Sequence, residues 1–140
     1  MAFQNCGYLP NIVIPDSVET IGYSAFEECC SLTDITIPGS VKTIGERAFY
    51  ECLHLCNVTI SPGTTTIGEL AFGRCGRMRR VSIPDSVTSI GENAFSIDVC
   101  WSPKPIPNIS LTLYCSRGSY AEQFWMMNPG LGIICPGEDD

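Results

Sequence analysis

FEECCSLTDITIPGSVKTIGERA, residues 26–48, is the unit from which most of this chain is built. Shifted by 23 residues in either direction, it returns. Phe3, Phe26, Phe49, Phe72 and Phe95 form one series, each preceded by an alanine. Cys6, Cys29, Cys52 and Cys75 follow each Phe by three, and Leu9, Leu32, Leu55 and Met78 follow each Cys by three. Ile14, Ile37, Ile60 and Ile83 recur in step, as do the pairs Ile21-Gly22, Ile44-Gly45, Ile67-Gly68 and Ile90-Gly91. A fixed period in the range of roughly 20–29 residues outranks any local reading of helix or strand, because each unit buries its apolar face only against its neighbours. The chain is a solenoid.

Within the unit, Leu32-x-x-Ile35-x-Ile37 ends in an alternation of period two, which predicts a strand with one buried face. Pro15, Pro38 and Pro84 close their strands at the same point, since proline cannot donate to a ladder. Ser17, Ser40 and Ser86 follow, placed so that their hydroxyls pair with backbone of adjacent units. The glycine of each Ile-Gly pair suits a bend with positive φ. Glu46-Arg47-Ala48-Phe49 suits a short helical or 3₁₀ turn. Successive strands joined through such an outer segment run parallel. The period does not subdivide by six, which argues against a hexapeptide β-helix.

The third unit departs from the rule, because Ser61-Pro62-Gly63-Thr64 replaces Pro-x-Ser-Val, and local looseness is expected there. Asp98 stands where the next cysteine belongs, so the regular array ends after Phe95, whose stacking is expected to matter less than that of Phe49. Two regions result, four repeats over residues 1–96 and a terminal cap over 97–140. In the second, Ser102–Pro107 reads as a Pro-rich connection and Leu111–Cys115 as one more strand. Ser119-x-x-Glu122 reads as a capping box opening a helix that runs to about Asn128, and Leu131–Cys135 as a final strand. Phe124, Trp125, Met126 and Met127 offer the area needed to cover the last repeat.

The 140 residues carry a net charge of −7, which argues against nucleic acid as a partner. No apolar run reaches the ~18 residues of a membrane span. Met1–Cys6 lacks the charged and apolar regions of a signal peptide and is already repeat sequence, so the chain reads as a piece of a longer array. Its first unit, with Phe3, Leu9, Ile12 and Ile14, is predicted to self-associate through its open side, either as a two-fold dimer or as larger aggregates.

Of the nine cysteines, Cys29, Cys52 and Cys75 share an apolar slot with Cys6 and are expected to be buried and reduced. Parallel rungs hold equivalent residues about 4.8 Å apart with vectors that do not converge, a poor geometry for a disulfide. Cys30, Cys56, Cys100, Cys115 and Cys135 lie off this ladder, and the register leaves their state open.

Chemistry finds little footing. His54 in Cys52-Leu53-His54-Leu55-Cys56 invites a zinc reading, but Cys52 and Leu55 are core positions and cannot converge on a metal. Glu46, Glu69 and Glu92 recur by register and read as a solvated row. No catalytic set, metal site or cofactor is expected. Two features remain as binding candidates. Alternation turns Asn11, Val13, Asp34, Thr36, Asn57, Thr59, Arg80 and Ser82 away from the core, giving a polar sheet face free of packing duty. Arg74, Arg77, Arg79 and Arg80 cluster within seven residues, either as a patch for an acidic partner or as a plain solvated edge.

The motif Cys-x-x-Leu-x-x-Ile-x-Ile-Pro-x-Ser-Val-x-x-Ile-Gly-x-x-Ala-Phe runs through Cys29–Phe49 and, with substitutions, Cys75–Phe95. It resembles the BspA-like leucine-rich repeats, also called the Treponema pallidum type, of surface and secreted proteins in anaerobic bacteria and some protozoan parasites. Gly118–Glu122 is similar to the C-terminal cap that such bacterial arrays carry. The resemblance implies a leucine-rich-repeat solenoid of the α/β type, with a short-stranded parallel sheet on its concave face and 3₁₀ or short helical turns on the convex side. It implies an extracellular or cell-surface location and a non-catalytic module for adhesion or protein interaction, binding a protein or a glycan through the concave sheet. The rival is a structural spacer and cap of a longer array with no ligand of its own.

Overall fold

A computed structural model describes residues 11–98, 106–107, 111–128 and 133–136, without the side chains of 97–98, 106–107 and 133–136. The expectations for Phe3, Cys6, Leu9, Cys100, Ser102–Pro105 and Leu131, and for the Cys135 thiol, lie outside the described residues.

The repeats contribute β1 (Thr20–Ile21), β2 (Asp34–Ile37), β3 (Thr43–Ile44), β4 (Asn57–Ile60), β5 (Thr66–Ile67), β6 (Arg80–Ser82) and β7 (Ser89–Ile90). The even-numbered strands alternate exposed and buried residues, as Leu-x-x-Ile-x-Ile predicts. They pair in parallel through Asp34, Asn57 and Arg80, each in register with the next. The odd-numbered strands form a second parallel sheet, with Ile21, Ile44, Ile67 and Ile90 on one inward row. Sequence reading makes this stretch a bend, because two residues are too few to display a period.

The glycines after these isoleucines do not have the expected positive φ. They serve close approach: a Cβ on Gly45 would lie 2.7 Å from the carbonyl oxygen of Ile21 and 2.8 Å from the carbonyl carbon of Gly22. Bare backbone lets adjacent units close to strand-pairing distance.

The third side is a run of tight turns, half of it 3₁₀-like and half a ladder. Ala48, Tyr50 and Cys52 donate three residues back, to Gly45, Arg47 and Phe49. The alternate amides of Arg47, Phe49 and Glu51 donate instead to Glu69, Ala71 and Gly73 of the next unit. To aim them, Ser24, Glu28, Arg47, Glu51, Leu70, Arg74 and Asn93 adopt φ between 51° and 61°. None of these is β-branched, the class that tolerates left-handed backbone worst.

The core between the three sides is a column of equivalent residues. Phe26, Phe49, Phe72 and Phe95 stack with centroids 5.1, 5.1 and 5.4 Å apart and planes within 8° of parallel. Beside them the Cys52 thiol donates to the Phe26 carbonyl and the Cys75 thiol to the Phe49 carbonyl, both at 3.1 Å. The cysteine slot thus supplies a donor to a buried carbonyl in addition to apolar volume. Cys29, Cys52 and Cys75 are buried free thiols. Burial pushes the Cys75 thiol up to about 12 and raises that of Cys52 as well. Because the thiolate is the species that reacts, these three are expected to resist iodoacetamide in the native protein and react on unfolding. The half-buried Cys30 and Cys56 are expected to label first. Mass spectrometry of partial labelling checks this, and early modification at Cys52 would contradict it.

The serine ladder is only partly formed. Ser86 Oγ accepts from Gly63 N at 3.0 Å, but Ser40 Oγ is buried with no partner among the described residues, and Ser17 is exposed. Nor is the third unit loose by this measure. Thr64, standing in the valine slot, is fully buried and donates its hydroxyl to the Val41 carbonyl at 2.6 Å. Gly63, at φ 127°, faces Gly39, whose carbonyl oxygen leaves no room for a side chain. The shift of proline by one place is absorbed by this glycine pair.

Beyond the repeats, β8 (Ser96–Asp98) pairs antiparallel with β9 (Ile106–Pro107). The next rung of the long sheet is therefore not Pro103, 23 residues after Arg80, but Thr112 of β10 (Thr112–Cys115). Then come α1 (Tyr120–Met127) and β11 (Ile133–Pro136), which completes the order β2-β4-β6-β10-β11, all parallel. Ser119 Oγ accepts from Glu122 N at 3.2 Å, while the Glu122 carboxylate accepts from Gly118 N at 2.6 Å, one residue before the helix cap. Trp125 is buried and tilts 53° over Phe95 at 5.3 Å, so Phe95 is sandwiched rather than terminal. Phe124 packs at the edge of Trp125, but Met126 and Met127, expected to help cover the last repeat, are exposed.

Candidate functional site

Because β2, β4, β6 and β10 are in register, their outward side chains form two straight rows. Asn11, Asp34, Asn57, Arg80 and Thr112 make the first, Asn11 joining Asp34 through an isolated parallel bridge. Thr36, Thr59, Ser82 and Tyr114 make the second, and Val13 lies at the Asn11 end of the same face. Asp34, Thr36, Asn57, Thr59 and Arg80 are exposed, Ser82, Thr112 and Tyr114 half so. Val13, 91% exposed, is the apolar exception.

Thr112 and Tyr114 are the members that sequence reading leaves out. Leu111-Thr112-Leu113-Tyr114-Cys115 shows the alternation, with Leu111, Leu113 and Cys115 buried. The break in the 23-residue register hides which rung they occupy.

The face has relief and polarity. Asp34 accepts from Asn57 Nδ2 at 2.6 Å and from Thr33 Oγ1 at 3.0 Å. Asn57, Thr59, Arg80, Ser82 and Tyr114 line a depression of ≈ 350 Å³. A second, of ≈ 520 Å³, shares Thr59, Ser82 and Tyr114 and continues to Asp85 and Ser116. The Arg80 guanidinium carbon lies 6.0 Å from the Tyr114 ring centroid. A third hollow, of ≈ 440 Å³, involves Asn11, Val13, Asp34 and Thr36.

The four clustered arginines do not act as one group. Arg74 belongs to the turn side, where it pairs with Glu51 at 2.7 Å, whereas Arg80 projects from the sheet. Arg77 and Arg79 are exposed between them. His54 is exposed, with Nδ1 2.6 Å from the Cys30 carbonyl; since a carbonyl only accepts, Nδ1 carries the proton. Among the described residues no group of three His, Cys, Asp or Glu is placed to hold a metal ion. Glu46, Glu69 and Glu92 form an exposed row on the turn side. No described helix is long and apolar enough to cross a membrane.

The sequence matches the BspA type leucine rich repeat region in six copies across residues 1–100. Its fold is similar to the crystal structure of a leucine rich cell surface protein from Faecalibacterium prausnitzii, with a TM-score of 0.67 and 35% identity. That match covers 81% of this chain and 27% of the other, so the chain spans about a quarter of that protein's length. It is also similar in fold to a T. pallidum leucine rich repeat protein, at a TM-score of 0.52 and 24% identity, covering 74% of this chain and 57% of that one. No curated protein matches the chain.

Proposed function

The chain belongs to the BspA-type leucine-rich repeat family, and from that premise we propose that it is a non-catalytic protein-interaction module of a surface or secreted repeat protein, engaged through the outward face of its five-stranded sheet. The observation that carries the reading is the pair of outward rows, whose polar side chains take no part in the core. A rigid, register-locked array of side chains is a surface whose composition can vary without cost to the fold. The similar Faecalibacterium protein is described as a cell surface protein, which supports a surface location for this chain too. The division into repeats to residue 96 and a cap from 97 is part of the same proposal.

A second reading, spacer and terminal cap, draws on a different observation: Trp125 closes the phenylalanine column and ends it. The two separate experimentally. Immobilised protein is incubated with a mixture of secreted and surface proteins, and captured partners are quantified. Thr59→Arg, in the middle of the face, is expected to lower capture about tenfold or more. Glu69→Arg, on the turn side, is expected to leave it unchanged. Equal capture by both variants and the parent would favour the spacer.

A further inference from the structure

The charges on the sheet face are unequally satisfied. Asp34 already accepts two hydrogen bonds, from Asn57 and Thr33. Arg80 has no ion pair among the described residues, the pair made by its neighbour Arg74 being on the turn side. The depression bordered by Arg80 and Tyr114 has Asn57, Thr59 and Ser82 around it and no acidic residue in its wall. A guanidinium near an aromatic ring, with hydroxyls at hand and no carboxylate of its own, has the chemistry to take one from a ligand. The chain as a whole is acidic, at −7, so its overall field does not draw an anion in, and recognition must come from contact at Arg80.

The hollow continues past Thr59, Ser82 and Tyr114 to Asp85. Because the two hollows share Thr59, Ser82 and Tyr114, they join into one groove with Arg80 in the first and Asp85 in the second. Two joined hollows of ≈ 350 and ≈ 520 Å³, with a cation in one and a carboxylate in the other, leave more room than a single acidic sugar fills and match an extended peptide. We infer that the Arg80–Tyr114 depression anchors an aspartate or glutamate side chain of a partner's extended segment, which runs on toward Asp85 and places neutral or basic residues there. The inference rests on the reading of this face as the binding surface and names the chemistry of what binds.

The probe is acetyl-Gly-Glu-Gly-amide, titrated into ¹⁵N-labelled protein beside its Gln counterpart. The Glu peptide is expected to shift the Arg80 Nε–H and the Thr59 and Ser82 amides saturably. The Gln peptide should need about tenfold more to do so, as befits loss of a charge-assisted bond. Arg80→Gln, at an exposed position, should abolish the response, and Arg74→Gln should not. Equal responses to both peptides, no response, or a response that survives Arg80→Gln would overturn the inference. So would glucuronate saturating the same resonances at lower concentration than the Glu peptide, which would assign the site to an acidic sugar. An Arg80 silent toward the peptide, beside capture that still depends on Thr59, removes the anchor and leaves the face reading intact.

Discussion

Phe49→Ala is expected to unfold most of the stack. Phe49 is fully buried, with rings 5.1 Å away on both sides, so truncation opens a cavity that neither neighbour can fill without leaving its own rung. Removing a buried Phe costs ~3–5 kcal/mol, against a total of about 5–15 kcal/mol for a domain. Stability in a repeat array is carried by nearest-neighbour interfaces, so loss at one rung uncouples what lies on either side. Urea melts should show a lowered midpoint and a broadened transition. Phe95→Ala is expected to cost a similar amount, because Trp125 covers the side of Phe95 that faces away from Phe72. A small loss at Phe49 would mean that the column does not carry the fold.

Gly68→Ala is expected to be as damaging, although it adds a single methyl group. The new Cβ would lie 2.6 Å from Glu46 N and 2.7 Å from the Gly45 carbonyl carbon, both main-chain atoms. Neither unit can yield easily, since Gly68 N donates to Ile44 O and Gly45 N to Ile21 O, each at 2.8 Å. Forcing them apart should cost ~3 kcal/mol. Gly76→Ala is the control: its Cβ would meet nothing within 4 Å, and a change of about 0.5 kcal/mol or less is expected. Thermal melts of the two variants decide the matter, and near-parent stability in Gly68→Ala would show that the units do not approach as closely as described.

The contrast between these glycines shows how far the sequence can be read. Period 23 exposes every position that repeats, so the phenylalanine column, the inward isoleucines and the outward rows through Arg80 and Ser82 are all visible in it. What it cannot expose is the reason a residue recurs. The Ile-Gly glycines recur because backbone meets backbone, not because a bend needs positive φ. Cys52 and Cys75 each have a carbonyl of the preceding unit beneath the thiol, a contact between units that no single unit displays. Non-repeating positions suffer more. Thr64 looks like an error until its hydroxyl is seen on the Val41 carbonyl, and Tyr114 enters the candidate site only because β8 and β9 take up the residues that delay the next rung. Ser40 repeats yet its hydroxyl has no partner among the described residues, and nothing in the structure explains it.

The turn side gives the whole stack a direction. Every backbone bond between units there runs one way: Ser24, Phe26 and Glu28 donate to Glu46, Ala48 and Tyr50, and those units' successors do the same. All the peptide dipoles involved point alike, with N–H toward the C-terminal end and C=O toward the N-terminal end. Each unit therefore meets its predecessor with three carbonyls and its successor with three amides. On this side a further unit therefore matches its neighbour, three carbonyls to three amides, in one stacking orientation alone.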